Sequence, residues 1–322
     1  MKKPQIALEY REKFGWEMPT LKLARILYKD NSLSFTNVED ARTTLRGIEG
    51  KHKGKDSKVY KEMPERPKNP YHLPESNEAI YQPYIINAKR LLVLSDIHIP
   101  YHSIDAITCA FDFAKKEKPD AVLLNGDTLD FFILSRFTKD PKARSFAQEL
   151  ETFKEFMVIL KKTFDAKIYF KLGNHEERYF HFLWMKSNEL VGVDEFELEN
   201  IIKARSEGIE IIKDKRIMKA GELNIIHGHE FGGSVFSPVN IARGLFLKAK
   251  VSAMQGHNHQ TSEHTERDMN GRITTTFSLG CLSELSPSYL PINKWNHGFA
   301  IVDIDGEEFN VRNKRIHKGE IL

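Results

Sequence analysis

Five short motifs hold the residues of this chain best suited to chemistry: Asp96-Ile97-His98, Gly126-Asp127, Gly173-Asn174-His175-Glu176, His227-Gly228-His229 and Gly256-His257-Asn258-His259. Together they offer imidazoles, carboxylates and an amide oxygen. That is a ligand set for two metal ions with a general acid beside them. Nitrogen and oxygen donors without thiolate favour Mn²⁺, Fe or Zn²⁺ over Ca²⁺. An imidazole can supply a proton near neutral pH.

Each fragment alone has a plain structural reading. Asp-x-His can be a capping carboxylate and a surface imidazole, and a Gly-Asp turn is common. The four-residue stretch from Gly173 is more specific. Glycine frees the backbone, the Asn174 amide oxygen can bind a hard metal, and His175 starts a helix near the site. His257 and His259 stand two apart after another apolar run. The combination points to a single centre, because all five motifs follow short apolar runs.

Those runs imply the scaffold. From residue 89, apolar strands alternate with helical stretches: strand 90–95, helix 104–118, strand 121–125, helix 145–164 and strand 167–172. Residues 180–188 and 195–206 read as helical. Beyond Gly208 strands dominate, at 209–212, 223–226, 251–255, 272–279, 299–304 and 309–315. This order argues for a layered α/β domain over 89–322. In such sheets, ligands gather at loops beyond the carboxyl ends of strands. Phe111, Phe113, Phe153 and Phe156 fall at helical spacings and read as core.

Residues 1–50 read as a helical module. One segment starts at Pro19-Thr20, and a second runs from Val38 to Ile48, capped by Thr36 or Asn37. This is a helix-turn-helix or a small helical bundle; Arg42, Arg46 and Lys51 would meet phosphates in the first case. Residues 51–88, rich in Lys, Pro and Glu, read as a linker or arm. Residues 1–90 carry 18 Lys+Arg against 12 Asp+Glu within a chain of net charge +3. The excess lies in residues 42–68, either a solvated linker or an anion-binding arm. The 322 residues include no apolar run long enough to cross a bilayer and no signal-peptide pattern. Two cysteines, Cys109 and Cys281, cannot form a disulfide framework, so a cytoplasmic location is expected.

The ordered motifs resemble those of the calcineurin-like metallophosphoesterase superfamily, particularly its bacterial and phage phosphoesterases, over roughly residues 89–305. The resemblance implies a two-sheet β-sandwich flanked by helices. It implies that Asp96, His98 and His259 hold one metal and Asn174, His227 and His257 a second, with Asp127 bridging them. His175 would contact the phosphate and protonate the leaving oxygen. Asp130 and Glu176 would support the ligands or their loops. Two ions about 4 Å apart lower the pKa of the water between them and neutralise phosphate oxygens. Manganese is the first expectation, with Fe, Zn²⁺, Ni²⁺ or Mg²⁺ open.

One departure bears on the substrate. The similar protein serine/threonine phosphatases carry an Arg soon after Gly-Asp, where this chain has Phe131-Phe132. That lowers the protein-phosphatase reading and favours phosphoesterases that include nucleases of the double-strand-break repair type. A phosphodiesterase acting on nucleic acid or a nucleotide is expected; the alternatives are a phosphomonoesterase and a DNA-binding protein with a secondary metal domain. Specificity would lie in the N-terminal arm and in two segments around the site. These are 131–142, with Arg136, Lys139 and Lys142, and 231–243, with a Gly232-Gly233 hinge. Arg178, His229 and the Trp295-Asn296-His297 stretch are candidate substrate contacts.

Overall fold

The computed structural model describes residues 2–16, 18–49, 71–74, 82–137, 145–232 and 239–322. They fall into two compact units, Met1–Tyr81 and Gln82–Leu322. Lys51, Lys139, Lys142 and Gly233, singled out above, lie outside the described residues.

The first unit holds three helices, α1 (Lys3–Phe14), α2 (Thr20–Asp30) and α3 (Val38–Ile48). Asn37 rather than Thr36 caps α3, its side chain accepting from the Asp40 N–H at 2.8 Å. Leu23, Ala24 and Leu27 of α2 meet Ala41, Leu45 and Ile48 of α3, with Ile6, Ala7 and Phe35 closing the core. Within this core the fully buried Arg11 pairs with Glu49. Its guanidinium also donates to the Met18 carbonyl at 2.7 Å, and Thr20 Oγ1 donates to Glu49 at 2.8 Å. The start of α3 carries Glu39 and Asp40, paired with Arg42 and Lys3.

The second unit begins with β1 (Tyr84–Ile85), within the stretch expected to be an arm. There follow β2 (Arg90–Leu94), α4 (Ile104–Glu117), β3 (Ala121–Asn125), α5 (Phe146–Thr163), β4 (Lys167–Lys171), α6 (Glu177–Lys186) and α7 (Leu198–Ile201). Then come β5 (Glu210–Ile212), β6 (Met218–Ala220), β7 (Leu223–Ile225), α8 (Ile241–Ala249), β8 (Ala253–Gln255), β9 (Ser262–Arg267), β10 (Ile273–Ser278), β11 (His297–Asp305), β12 (Glu308–His317) and β13 (Glu320–Ile321). A seven-stranded sheet runs β13-β12-β11-β2-β3-β4-β5 and a six-stranded sheet β1-β6-β7-β8-β10-β9.

Apolar runs such as 90–95 are apolar on both faces because both faces are covered. Leu91 and Val93 of β2 point between the sheets, toward Met218, Leu223, Ile225 and Met254. Leu92 and Leu94 point the other way, toward Phe111, Phe153 and Leu160 of α4 and α5. This is the α/β two-sheet sandwich flanked by helices expected from the motifs. The helix expected over 195–206 shrinks to the four residues of α7. Lys203 takes a left-handed conformation (φ 58°), which no α-helix continues through.

Candidate metal centre

All five motifs lie just past the ends of strands: β2, β3 and β4 of one sheet, β7 and β8 of the other. Within each sheet these strands run parallel, so their exit loops gather at one edge. Asp96, His98 and His259 offer donor atoms within 4.8 Å of one another, and so do Asp127, His227 and His257. Asp127 also lies near the first group, 4.0 Å from His98 Nε2, and stands 3.1 Å from His227 Nε2. His259 Nε2 is 3.2 Å from Asp96.

Divalent cations fit this donor set. Asn174 Oδ1 and His257 Nδ1 are buried with no hydrogen-bond partner among the described residues. Such atoms are costly unless something binds them. His98 Nε2 and His259 Nε2 face each other at 3.2 Å, an approach in which at most one carries a hydrogen toward the other. The buried carboxylates also demand positive charge. Burial alone would raise Asp127, but His175 and His227 outweigh it and hold it well below the usual range. In turn, against its own burial, His227 is driven up to about 10 by Asp127, and His259 to about 10 by Asp96.

His175 stands beside the groups, its Nε2 3.8 Å from Asp127. Its Nδ1 faces the Asp130 carbonyl at 2.9 Å and the Asp130 carboxylate at 3.0 Å. Those acceptors place the Nδ1 proton there and leave Nε2 for chemistry. Arg178 donates to that Nε2 at 2.9 Å and to the Asp130 carbonyl at 2.7 Å. Burial opposes protonation of His175, but Asp127 and Asp130 raise its pKa above the ordinary value.

Residues 89–261, more than half of the chain, match the family described as calcineurin-like phosphoesterase. The chain belongs to that family. This calcineurin-like phosphoesterase is a metal-dependent hydrolase of phosphate esters, and membership implies divalent metal ions. It is 26% identical to the Gene 54 protein of Mycobacterium phage L5, over 68% of this chain and 91% of the relative. Identity to the Gene 54 protein of phage D29 is also 26%, over 68% and 90%. Among solved structures it is similar to vacuolar protein sorting 29 from Cryptosporidium parvum, at 13% identity and a TM-score of 0.41, over 73% of this chain and 95% of that one. A dimetal phosphatase from Danio rerio matches at 11% identity and a TM-score of 0.35, over 70% and 95%.

Several features of the phosphoesterase site have no sequence signal. Asp96, His98, Asp127, His257 and His259 all have positive φ, between 49° and 66°. Non-glycine residues avoid this region, and such strain gathers at functional sites. Glycine is needed next to them: a Cβ on Gly173 would overlap the Asp127 carboxylate, and one on Gly256 would strike Ser95 and Asp96.

Glu176, fully buried, accepts four backbone N–H bonds, from Asp127 (3.0 Å), Thr128 (2.8 Å), Leu129 (2.9 Å) and Gly173 (2.8 Å). It ties the β3 and β4 loops together. Asp130 touches both His98 Nδ1 (2.9 Å) and His175, so one carboxylate orients both imidazoles. The sequence reading missed two further acids. Glu230 accepts from the N–H groups of His227 (2.9 Å) and Gly228 (2.6 Å), and the buried Lys171 ammonium sits 2.9 Å away. Glu149 of α5 accepts from the Phe131 N–H at 2.7 Å.

The substrate-contact candidates divide. Arg178 reaches the site. His229 points to Glu177 at 3.1 Å. Trp295 packs on His259, ring centroids 4.2 Å apart, while His297 Nε2 turns away to the Ser283 carbonyl. No described helix is long and apolar enough to cross a membrane.

Proposed function

We propose that this phosphoesterase is a dinuclear-metal phosphodiesterase acting on nucleic acid or a nucleotide. The observation that carries the reading is the position of Asp127, a single carboxylate within reach of two donor groups and of His175. Asp96, His98 and His259 would hold one ion and Asn174, His227 and His257 the other, with Asp127 shared; Mn²⁺ is the favoured metal. The ions would activate water as the nucleophile and neutralise phosphate oxygens. His175, oriented through Nδ1 by Asp130, would carry a proton on Nε2 for the departing oxygen once Arg178, which donates to that nitrogen here, turns to a phosphate oxygen. Arg178, already in contact with that nitrogen, would hold a phosphate oxygen there. Glu176 and Glu230 keep the ligand-bearing loops in place.

A diester carries one negative charge where a monoester carries nearly two, and one guanidinium at the leaving-group side suits the former. The aromatic residues after Gly-Asp point the same way, away from the protein phosphatases. The test is hydrolysis of bis-p-nitrophenyl phosphate against p-nitrophenyl phosphate with Mn²⁺, for wild type and His175→Ala. Faster diester cleavage that the variant loses is expected. Faster monoester cleavage would make the protein a phosphatase instead.

A further inference from the structure

The loop between β10 and β11 sets two aromatic rings beside the centre. Trp295 leans on the ring of His259, and Tyr289 meets Trp295 edge-on at 6.5 Å with 65° between the planes. Tyr289 is 73% exposed, although a packed fold gains by covering a ring of that size. Tyr289 thus offers an open ring next to the one that lies on His259.

The loop is tied down. The Asn293 amide donates to the Leu285 carbonyl at 2.6 Å and to the Leu290 carbonyl at 2.9 Å. Its oxygen accepts from the Trp295 N–H at 2.8 Å, and the Asn296 N–H donates to the His259 carbonyl at 2.9 Å. The rings are therefore held at a fixed place relative to a candidate ligand, which lowers the ordering cost of binding.

We propose that Tyr289 and Trp295 form a base-stacking subsite for the nucleoside joined to the scissile phosphate. The inference rests on the phosphoesterase reading of the site and sharpens its substrate to a nucleotide unit. The open face of Tyr289 takes the base and Trp295 walls one edge. Stacking accepts any base, since every base has a π-face.

Two paired comparisons test this with the full Mn²⁺-loaded protein. The first is hydrolysis of thymidine 5′-(p-nitrophenyl phosphate) against methyl p-nitrophenyl phosphate, which share a leaving group. The second is calorimetric binding of thymidine 5′-monophosphate against 2-deoxyribose 5-phosphate, which differ by the base. Wild type is expected to favour the base-bearing partner in both. Tyr289→Ala should cut that preference by about 5- to 100-fold, the range for one stacked base, while Tyr289→Phe keeps it within about threefold. Equal affinity of wild type for the two binding partners, or a preference that Tyr289→Ala leaves intact, would overturn the subsite. Base-dependent binding without hydrolysis of either ester would sink the phosphodiesterase reading and leave the subsite standing.

Discussion

Glu176→Gln changes one atom and tests what holds the centre together. The carboxylate has two N–H donors on each oxygen: Thr128 and Leu129 on Oε1, Asp127 and Gly173 on Oε2. The glutamine amide nitrogen must replace one of those oxygens, so two buried N–H groups face another donor. Each buried donor left unsatisfied costs about 1–3 kcal/mol. Part of this is offset, because burial and the neighbouring Asp127 already disfavour the carboxylate and raise its pKa. A net loss of about 2–4 kcal/mol is expected. In a unit of roughly 240 residues that lowers Tm by about 4–16 °C. The loops would also loosen around Asp127 and Asn174, weakening metal binding by about 10- to 100-fold. Differential scanning calorimetry of the metal-free protein and calorimetric titration with Mn²⁺ read the two effects separately. A variant within 2 °C of wild type in Tm by about the resolution of such scans, with unchanged Mn²⁺ affinity, would refute the account of Glu176 as the tie between the loops.

Other outcomes follow from the same structure. His175→Ala should keep both metals, counted by metal analysis, while losing about 10²–10⁴-fold in turnover, as expected for a lost general acid. Asp127→Ala should lose metal as well, and full occupancy in that variant would contradict its sharing between two ions. Glu149 is held at about 8, above its usual 4.5, mainly by burial. Its folded pKa is the higher one, so its stabilisation is complete below pH 4.5 and is lost as pH rises through 8. Glu149→Gln, which mimics the neutral acid, should therefore gain in Tm relative to wild type between pH 5 and pH 9. In the first unit, Glu49→Ala strands the buried Arg11 guanidinium and should cost about 3–5 kcal/mol, read as faster proteolysis or hydrogen exchange within residues 2–49.

The strands and the motif positions were readable because the centre hangs on strand ends, and buried parallel strands declare themselves as apolar runs. Strands without an unbroken apolar run did not. β6 (Met218–Ala220) is interrupted by Lys219, and β9 (Ser262–Arg267) is polar and largely exposed, so neither forms an apolar run. Residue types and order announced the candidate ligands, but the left-handed backbone at Asp96 or His257 has no marker in a side chain. Glu230 and Lys171 were missed for a related reason. Their pairing depends on two sheets meeting, and each looks like a surface charge when read alone. Tyr289 escaped because its ring is placed by hydrogen bonds of Asn293, several residues away.

The two sheets contribute unequally to one edge: Asp96, His98, Asp127 and Asn174 come from loops of the seven-stranded sheet, His227, His257 and His259 from loops of the six-stranded one. A filled centre would thus act as a rivet through both layers. Shearing one sheet over the other, or peeling them apart from that edge, would require breaking coordination bonds before the apolar layer could part. Metal supply would then govern how long the folded chain survives as well as how fast it works, and a cell short of the ion would lose protein together with activity.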